Sequence, residues 1–447
     1  MSLDRRALLR SFLPLALLPH ANALPASSAL RPARGRPQGA GGPSQWRSHF
    51  PALAQQVNGE ALAYLDTAAT AQRPTEVIEA VADFYRRDNA NPSRTLHALA
   101  RRSHEDYENA RQTVARFIHA ADPLEVVFTR GTTEAINLVA STWGVANLRR
   151  DDEVLMTVAE HASNMLPWQL AARRAGATVR YLDVDDDGRI SLEQLEQRLT
   201  ARTRVLAFVH VSNVLGLINP AKEICSRARA VGVMVMIDAA QSVPHFQVDV
   251  QDLGCDFLAF SGHKMMGPMG TGVLWGRREL LDAMPPYQAG SNMAHDVDLE
   301  EADYSPGALK FGAGTPNVSG PVGLAAAIRF IETVGAAGMW EHEQRLARHA
   351  LTRLRDVRGL RILGPTSPTE RIAVFSFVVD GIATQDMATA LDVRGIAIRT
   401  GDLAALPLLK RFGVTRAARA SLYLYTTVEE VDRLADALSD IPRRESR

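Results

Sequence analysis

Apolar residues along this chain fall into two rhythms. Through the centre, short unbroken apolar runs alternate with stretches whose apolar positions recur every three or four residues. The runs at 126–129, 205–211, 233–237, 257–260 and 272–275 have the length of buried strands. The segments 133–143, 192–198 and 221–230 have the period of amphipathic helices. Strands separated by helices require crossover connections, so this pattern predicts an α/β fold with a mostly parallel central sheet. After about residue 330 the rhythm changes. A long helical pattern at 339–355 leads to a strand at 372–379, a helix at 384–393, strands at 397–400 and 418–425, and a final helix at 428–441. The expected organisation is a large domain over 46–330 and a smaller α+β domain over 331–447, with no internal repeat.

The first 45 residues follow neither rhythm. Asp4, Arg5 and Arg6 precede Leu8 and Leu9, a modest apolar stretch covers 12–18, and Ala21-Asn22-Ala23 follows. A charged start, a short apolar core and a small-x-small site are the order of a secretory signal, and the paired arginines resemble the twin-arginine export signal. This predicts a signal peptide at 1–23, recognition by the twin-arginine export machinery and a periplasmic protein. The alternative is an arginine-rich terminus with no such role. The apolar run is far below the roughly 20 residues that span a bilayer, so no stable membrane anchor is expected. Residues 24–45, rich in Pro, Gly and Arg, predict a disordered linker, with folded structure from about Trp46.

Composition narrows the chemistry. A formal net charge of +0 argues against nucleic acid or an anionic membrane as partner. The two cysteines, Cys225 and Cys255, lack metal-ligand spacing and suggest neither a zinc site nor a disulfide framework; no metal is expected. Basic residues are almost all arginine. The only lysines are Lys222, Lys264, Lys310 and Lys410, so any reaction that needs an amine has few candidates.

Three features point to one cofactor. Lys264 ends the run FLAFSGHK, where a strand's carboxyl end gives way to glycine-rich surroundings. Asp238 follows the apolar run VMVMI, with Gln241 three residues on; read alone, Asp238 is equally an ordinary helix N-cap. Residues 130–134, RGTTE, place Gly131, Thr132 and Thr133 at a helix start, where free backbone N–H groups hold a phosphate or merely cap the helix. A lysine for a Schiff base, a carboxylate for a pyridine nitrogen and a phosphate-binding helix start are together what pyridoxal 5'-phosphate (PLP) demands.

The segments YLDTAATAQRP (64–74), VFTRGTTEAINLVASTWG (127–144), EHASNMLPWQ (160–169), HVSNVLGLINP (210–220), IDAAQSVPH (237–245), CDFLAFSGHKMMGP (255–268) and GAGTPN (312–317) resemble the class V, fold-type I PLP enzymes. Within that class they resemble the cysteine desulfurases of the sulfur-mobilisation type. The resemblance runs from about residue 60 to the C-terminus. It implies that Lys264 carries the cofactor, Asp238 pairs with its pyridine nitrogen, Gln241 with its ring hydroxyl, and His161 stacks on its ring. It implies phosphate contacts from Thr132, Thr133, Ser261 and His263. Thr315 would reach the phosphate of a neighbouring subunit, which makes the protein a homodimer. Asn213, Arg399 and Arg419 would hold the substrate, Arg419 by its carboxylate.

Where desulfurases carry a nucleophilic cysteine on a flexible loop, in an Arg-Thr-Gly-x-x-Cys frame, residues 399–407 read RTGDLAALP, and the cysteine position is Ala404. Two family histidines beside it are Asp402 and Leu403, and a further family histidine is Ser93. The departures all fall on the substrate side. The leading expectation is therefore an exported PLP enzyme acting at the α-carbon of a small or peptide-like substrate with a free amino-acid end. The signal, the frame and the missing cysteine together resemble the periplasmic enzymes that tailor the glutamyl side chain of pyoverdine siderophores. The alternatives are an unconventional cysteine desulfurase or C–S lyase, and a non-catalytic PLP-binding scaffold.

Overall fold

The computed structural model describes residues 44–92 and 97–443. The expected signal peptide, nearly all of the expected linker, and Ser93 lie outside the described residues. The linker's last two positions, 44 and 45, instead open a short helix, Ser44–Arg47.

A seven-stranded sheet forms the centre. Its strands are β1 (Val126–Thr129), β2 (Glu153–Thr157), β3 (Thr178–Leu182), β4 (Thr203–Val209), β5 (Met234–Asp238), β6 (Phe257–Ser261) and β7 (Gly272–Gly276), in the spatial order β1-β7-β6-β5-β4-β2-β3. β7 is antiparallel to both neighbours, and every other pairing is parallel. The mostly parallel sheet expected from the pattern is the one that forms. Its strands read as continuous apolar runs because both faces are covered. Leu206, Phe208, Val235, Ile237, Leu258 and Phe260 belong to one apolar cluster; Val205, Ala207, Met234, Met236, Phe257 and Ala259 belong to the other. The second face is closed by α1 (Thr132–Ser141) and α2 (Ala162–Ala175) through Ile136, Val139 and Trp168, and the first by α3 (Ser319–Val334) through Leu324 and Ile328.

The strand expected at 205–211 stops at Val209. Beyond it the chain folds back on itself, with Val211 bridged to Ile218 and the Ser212 amide donating to Leu217 O, and this loop carries Asn213. The expected boundary at 330/331 falls inside α3. The change of direction comes at Gly335, where α3 and α4 (Ala336–Arg355) meet at 78°.

The C-terminal part is a four-stranded antiparallel sheet of β8 (Leu360–Leu363), β9 (Val374–Val379), β10 (Arg399–Gly401) and β11 (Ala417–Ser421), ordered β8-β9-β11-β10. α4 and α5 (Val428–Ser439) pack on it around Leu346, Phe375, Phe377 and Leu434. The strand expected to reach 425 ends at Ser421, because residues 423–426 close a turn through the Tyr423 amide and the Thr426 hydroxyl. Ala63 and Leu65 join this second core, and Ala63–Tyr64 pairs in parallel with Ile396–Ala397. The N-terminal segment expected in the large domain thus completes the smaller one.

Candidate active site

The carboxyl ends of the parallel strands share one edge, where open α/β sheets bind ligands. Asp238 is the last residue of β5. Lys264 lies three residues past β6, in the one-turn helix Gly262–Lys264, and His161 lies four residues past β2. All three line a cavity of about 430 Å³ together with Thr132, Thr133, Asn213, Gln241, Ser261, His263, Arg399 and Arg419. Eleven positions chosen from the sequence are thereby gathered around one space. Thr315 is not. It lines a separate cavity with Arg130, Tyr287 and Asn317, and its hydroxyl accepts from Asn91 Nδ2 at 2.9 Å.

The phosphate end is built by close approach of backbones. A Cβ added at Gly272 on β7 would lie 2.4 Å from Gly131 Cα, so only glycine lets β7 meet the turn before α1. The contact sets that turn against β6, where Ser261 Oγ accepts from the Thr132 amide at 2.8 Å and lies 2.7 Å from the Thr132 hydroxyl. Gly131 is the N-cap residue of α1 and offers no side chain to its first turn. Thr133 pairs with Ser163 across the cavity at 2.8 Å.

The electrostatics separate the lysines. Lys310 is buried but donates to the carbonyls of Leu281, Asp282 and Met284, at the end of the helix Arg278–Ala283. Lys222 pairs with Asp252 on the surface, and Lys410 is exposed. Lys264 faces the cavity, and withdrawal from water pushes its amine down to about 8, outweighing the attraction of Asp238. Burial raises Asp238, opposed by Lys264 and by the Ala240 amide 3.0 Å from its Oδ1. His161 is held near 4 by burial and then by Lys264 and Arg419; its Nδ1 accepts from the Ser163 amide at 3.1 Å, so the ring is neutral with its proton on Nε2. Burial likewise lowers His263 to about 4.

Two residues that sequence reasoning did not single out complete the site. Glu160 is fully buried behind His161, with its oxygens 2.6 Å from the Thr157 hydroxyl and 2.7 Å from Asn164 Nδ2; burial pushes it up to about 8. It fixes the β2–α2 turn without adding a second charge near Asp238. The other is Asp66. Arg399 on β10 and Arg419 on β11 are directly opposed across the strand pair, where like charges repel. Asp66 lies between them, accepting from Arg399 Nη2 at 2.8 Å and Arg419 Nη2 at 3.3 Å. The signal for both lay in segments already quoted, Glu160 beside His161 and Asp66 within YLDTAAT.

Arg419 also donates to Asn213 O at 3.1 Å, which leaves its buried Nε without a partner. Asn213 is engaged in part: its Nδ2 donates to Leu403 O at 2.9 Å, while Oδ1 is buried and unpartnered. Gln241 Nε2 donates to Ala68 O at 2.7 Å, and its Oε1 is also unpartnered. Ala404 lines the cavity where the frame would put a thiol. Cys225 and Cys255 are buried in the core, and burial raises the first thiol to about 12 and the second well above the usual thiol range. Neither lines the cavity.

Buried polar atoms that lack a protein partner and line a cavity are where a ligand or water completes the bonding. Gln241 Oε1, Asn213 Oδ1 and Arg419 Nε belong to residues lining the same cavity as a lowered amine, a buried carboxylate and a helix start with glycine at its N-cap, and that donor set fits PLP with an amino-acid carboxylate beside it. Comparison with known proteins agrees. The aminotransferase class-V family matches residues 63–434. A probable cysteine desulfurase of Halalkalibacterium halodurans is 47% identical over 389 residues, covering 87% of this chain and 95% of its own length. One of Streptomyces coelicolor is 45% identical over 400 residues, covering 88% and 96%. Among solved structures, the Escherichia coli cysteine desulfurase CsdA, in its S-sulfonic acid form, matches with a TM-score of 0.82 at 38% identity over 89% of this chain and 98% of its own. The apo cysteine desulfurase of Thermococcus onnurineus gives 0.85 at 36% identity over 89% and 97%.

Proposed function

Because the chain belongs to the aminotransferase class-V family and is a PLP-dependent enzyme, we propose that it acts at the α-carbon of a sulfur-bearing amino acid and releases the sulfur to solution. The observation that carries this reading is the gathering of eleven cofactor- and substrate-side residues around one cavity, with Ala404 where a thiol would stand. The relatives are cysteine desulfurases by name, and they support C–S chemistry over the siderophore tailoring that the departures suggested.

PLP, when bound, supplies a sink for electrons released at the α-carbon. Arg419 receives the substrate carboxylate on its open Nε, with Asp66 and Asn213 O fixing the guanidinium plane. Asp238 holds a proton at the pyridine nitrogen from its place at the end of β5. The Lys264 amine, neutral above about pH 8, removes the α-proton. Neutral His161 lies beside them without adding a positive charge. No thiolate is present to attack sulfur, so the sulfur leaves from the β-carbon. L-cysteine and water then give pyruvate, ammonia and hydrogen sulfide, with every atom accounted for.

The test is product analysis on the unmodified holoenzyme with L-cysteine. Pyruvate and sulfide in equal amounts support the reading. Alanine formed together with a persulfide on Cys225 or Cys255 overturns it.

A second reading starts from the two residues beside the missing thiol: where the family has histidines, positions 402 and 403 are Asp and Leu. They suit a substrate with no sulfur, such as the glutamyl end of a pyoverdine siderophore, handled by an enzyme exported through the pair Arg5-Arg6. Turnover of a glutamyl-ended peptide but not of L-cysteine favours it, and retention of an Arg5→Lys/Arg6→Lys variant inside the cell tests the export. Under either reading we place Thr315 at a shared site of a homodimer, which a monomer active in sedimentation contradicts.

A further inference from the structure

Residues 402–404 close the cavity over its substrate half. Leu403 and Ala404 have φ of 52° and 53°, two consecutive left-handed residues that are not glycine. L-residues leave that conformation unless their surroundings hold them in it. Four hydrogen bonds do so. Asp402 accepts from the Ala404 amide on its side chain at 3.0 Å and from the Ala405 amide on its carbonyl at 3.0 Å. Ala404 O accepts from the Ala162 amide at 2.7 Å, and Leu403 O from Asn213 Nδ2 at 2.9 Å. Leu403 is 7% exposed and packs in the main apolar core at the cavity's edge.

The two outside partners carry the working groups. Ala162 opens α2 directly after His161. Asn213 O receives the Arg419 guanidinium. The 402–404 backbone therefore spans from the histidine side of the cavity to the carboxylate side. It lines the cavity with Asp402, Leu403 and Ala404, and position 404 itself offers no nucleophile or base.

We propose that residues 402–404 form a fixed roof over the substrate, and that Leu403, by anchoring this roof in the core, limits the side chains that the enzyme accepts. The inference rests on the reading that Arg419 holds the substrate carboxylate, since that contact sets which way the side chain runs. A substrate held there with its α-carbon near Lys264 must fit its side chain beneath a span tied down at both ends. Leu403 is a specificity-determining residue in this sense, with no part in the chemistry.

The test uses the holoenzyme, with L-alanine, L-norvaline and L-phenylalanine titrated into it and the visible absorbance of the bound cofactor giving each Kd. Amide exchange at Ala162 and Ala405 provides the second readout. In wild type, affinity falls as the side chain lengthens. Leu403→Ala improves binding of L-phenylalanine relative to L-alanine by about tenfold, the scale of one methylene's worth of fit in an apolar pocket. It also speeds exchange at both amides, as expected when a local anchor is lost. Ala404→Gly, which keeps Leu403 seated and removes one methyl from the wall, gives the same direction of selectivity without faster exchange, and it serves if Leu403→Ala does not fold. Arg419→Ala separates the two levels of the argument. It weakens all three ligands alike if the carboxylate reading holds, and unchanged affinities sink that reading. With that reading intact, a length preference that neither roof variant moves overturns the roof.

Discussion

Lys264, Asp238 and Ser261 stand at the ends of strands buried on both faces, whereas residues 399–405 stand on the edge strand of the smaller sheet and the turn after it. In the first region each side chain is placed by a backbone that the core dictates. Leu258 and Phe260 anchor one face of β6 and Phe257 and Ala259 the other, so the turn bearing Lys264 has one place to go. In the second region the backbone of the turn is held by two side-chain and two main-chain hydrogen bonds and one buried leucine. The difference explains why chemistry can be altered at position 404 while cofactor binding persists. A side chain that lines a cavity from a turn is exchanged without disturbing the sheet, whereas a charge at the end of a central strand is not.

If the first region is the chemical engine, breaking it has the largest effect. Lys264→Ala lowers turnover by at least about 10³-fold, the upper scale of a lost general base, and borohydride no longer fixes the cofactor to the chain. Label recovered on Lys310 in wild type would show that the wrong buried lysine has been chosen. Next comes Asp238→Asn, which leaves the cofactor bound but removes the charge facing its nitrogen. Turnover should drop about 10²–10³-fold, as for other preorganised electrostatic contacts. Near-normal rates at full occupancy count against the role of Asp238.

The pH dependence sharpens the same contrast. Only a neutral amine attacks the cofactor aldehyde, and burial lowers Lys264 to about 8. Capture of PLP by the apoenzyme should rise with pH through about 8 and slow about tenfold for each unit below it. Stopped-flow absorbance reads this directly, and a midpoint near 10 would mean that the amine is not shielded. The smallest effect belongs to the second region. Ala404→Cys restores a thiol to the roof, yet Asp402 and Leu403 neither activate it nor let it move. Less than about a tenfold gain in alanine production is expected, below what an oriented acid–base partner contributes. A large gain would show the turn to be looser than its hydrogen bonds suggest.

Sequence pattern alone located the central sheet and the residues at its carboxyl edge, because unbroken apolar runs and the residues that follow them are local signals. Those signals put Lys264 and Asp238 at that edge, and the family resemblance supplied their roles. Asp66 could not be placed this way. Its role exists only because Arg399 and Arg419 become cross-strand neighbours, and it contacts Arg419 from 353 positions away. Glu160 reads as one polar residue among many until burial turns it into a neutral acid. Arg371 was equally silent. It is fully buried, donates to the carbonyls of Leu215, Pro365, Ile372 and Val374, and stacks 4.2 Å from the Phe375 ring, yet no carboxylate in the sequence announces it. The reach of the N-terminal segment was hidden for a related reason. Periodicity records where a helix begins but not that Ala63 and Leu65 belong to a core formed mainly by residues beyond 340.

That last contact bears on how the protein is made. The Ala68 amide donates to Ser421 Oγ, the Ala71 amide to His263 O, and the Thr67 hydroxyl pairs with Tyr425. The segment around Ala68 therefore waits for one made 353 positions later before the pocket has its floor. Contacts of such separation form slowly, and the unfinished intermediate exposes strand edges meanwhile. A chain halted during synthesis before residue 419 would already hold the lysine, the aspartate and the helix start, but it would lack the arginine and the serine that lock the opening segment down. Competence to retain the cofactor should thus appear abruptly, once residues 419–425 are released, rather than accumulate with length.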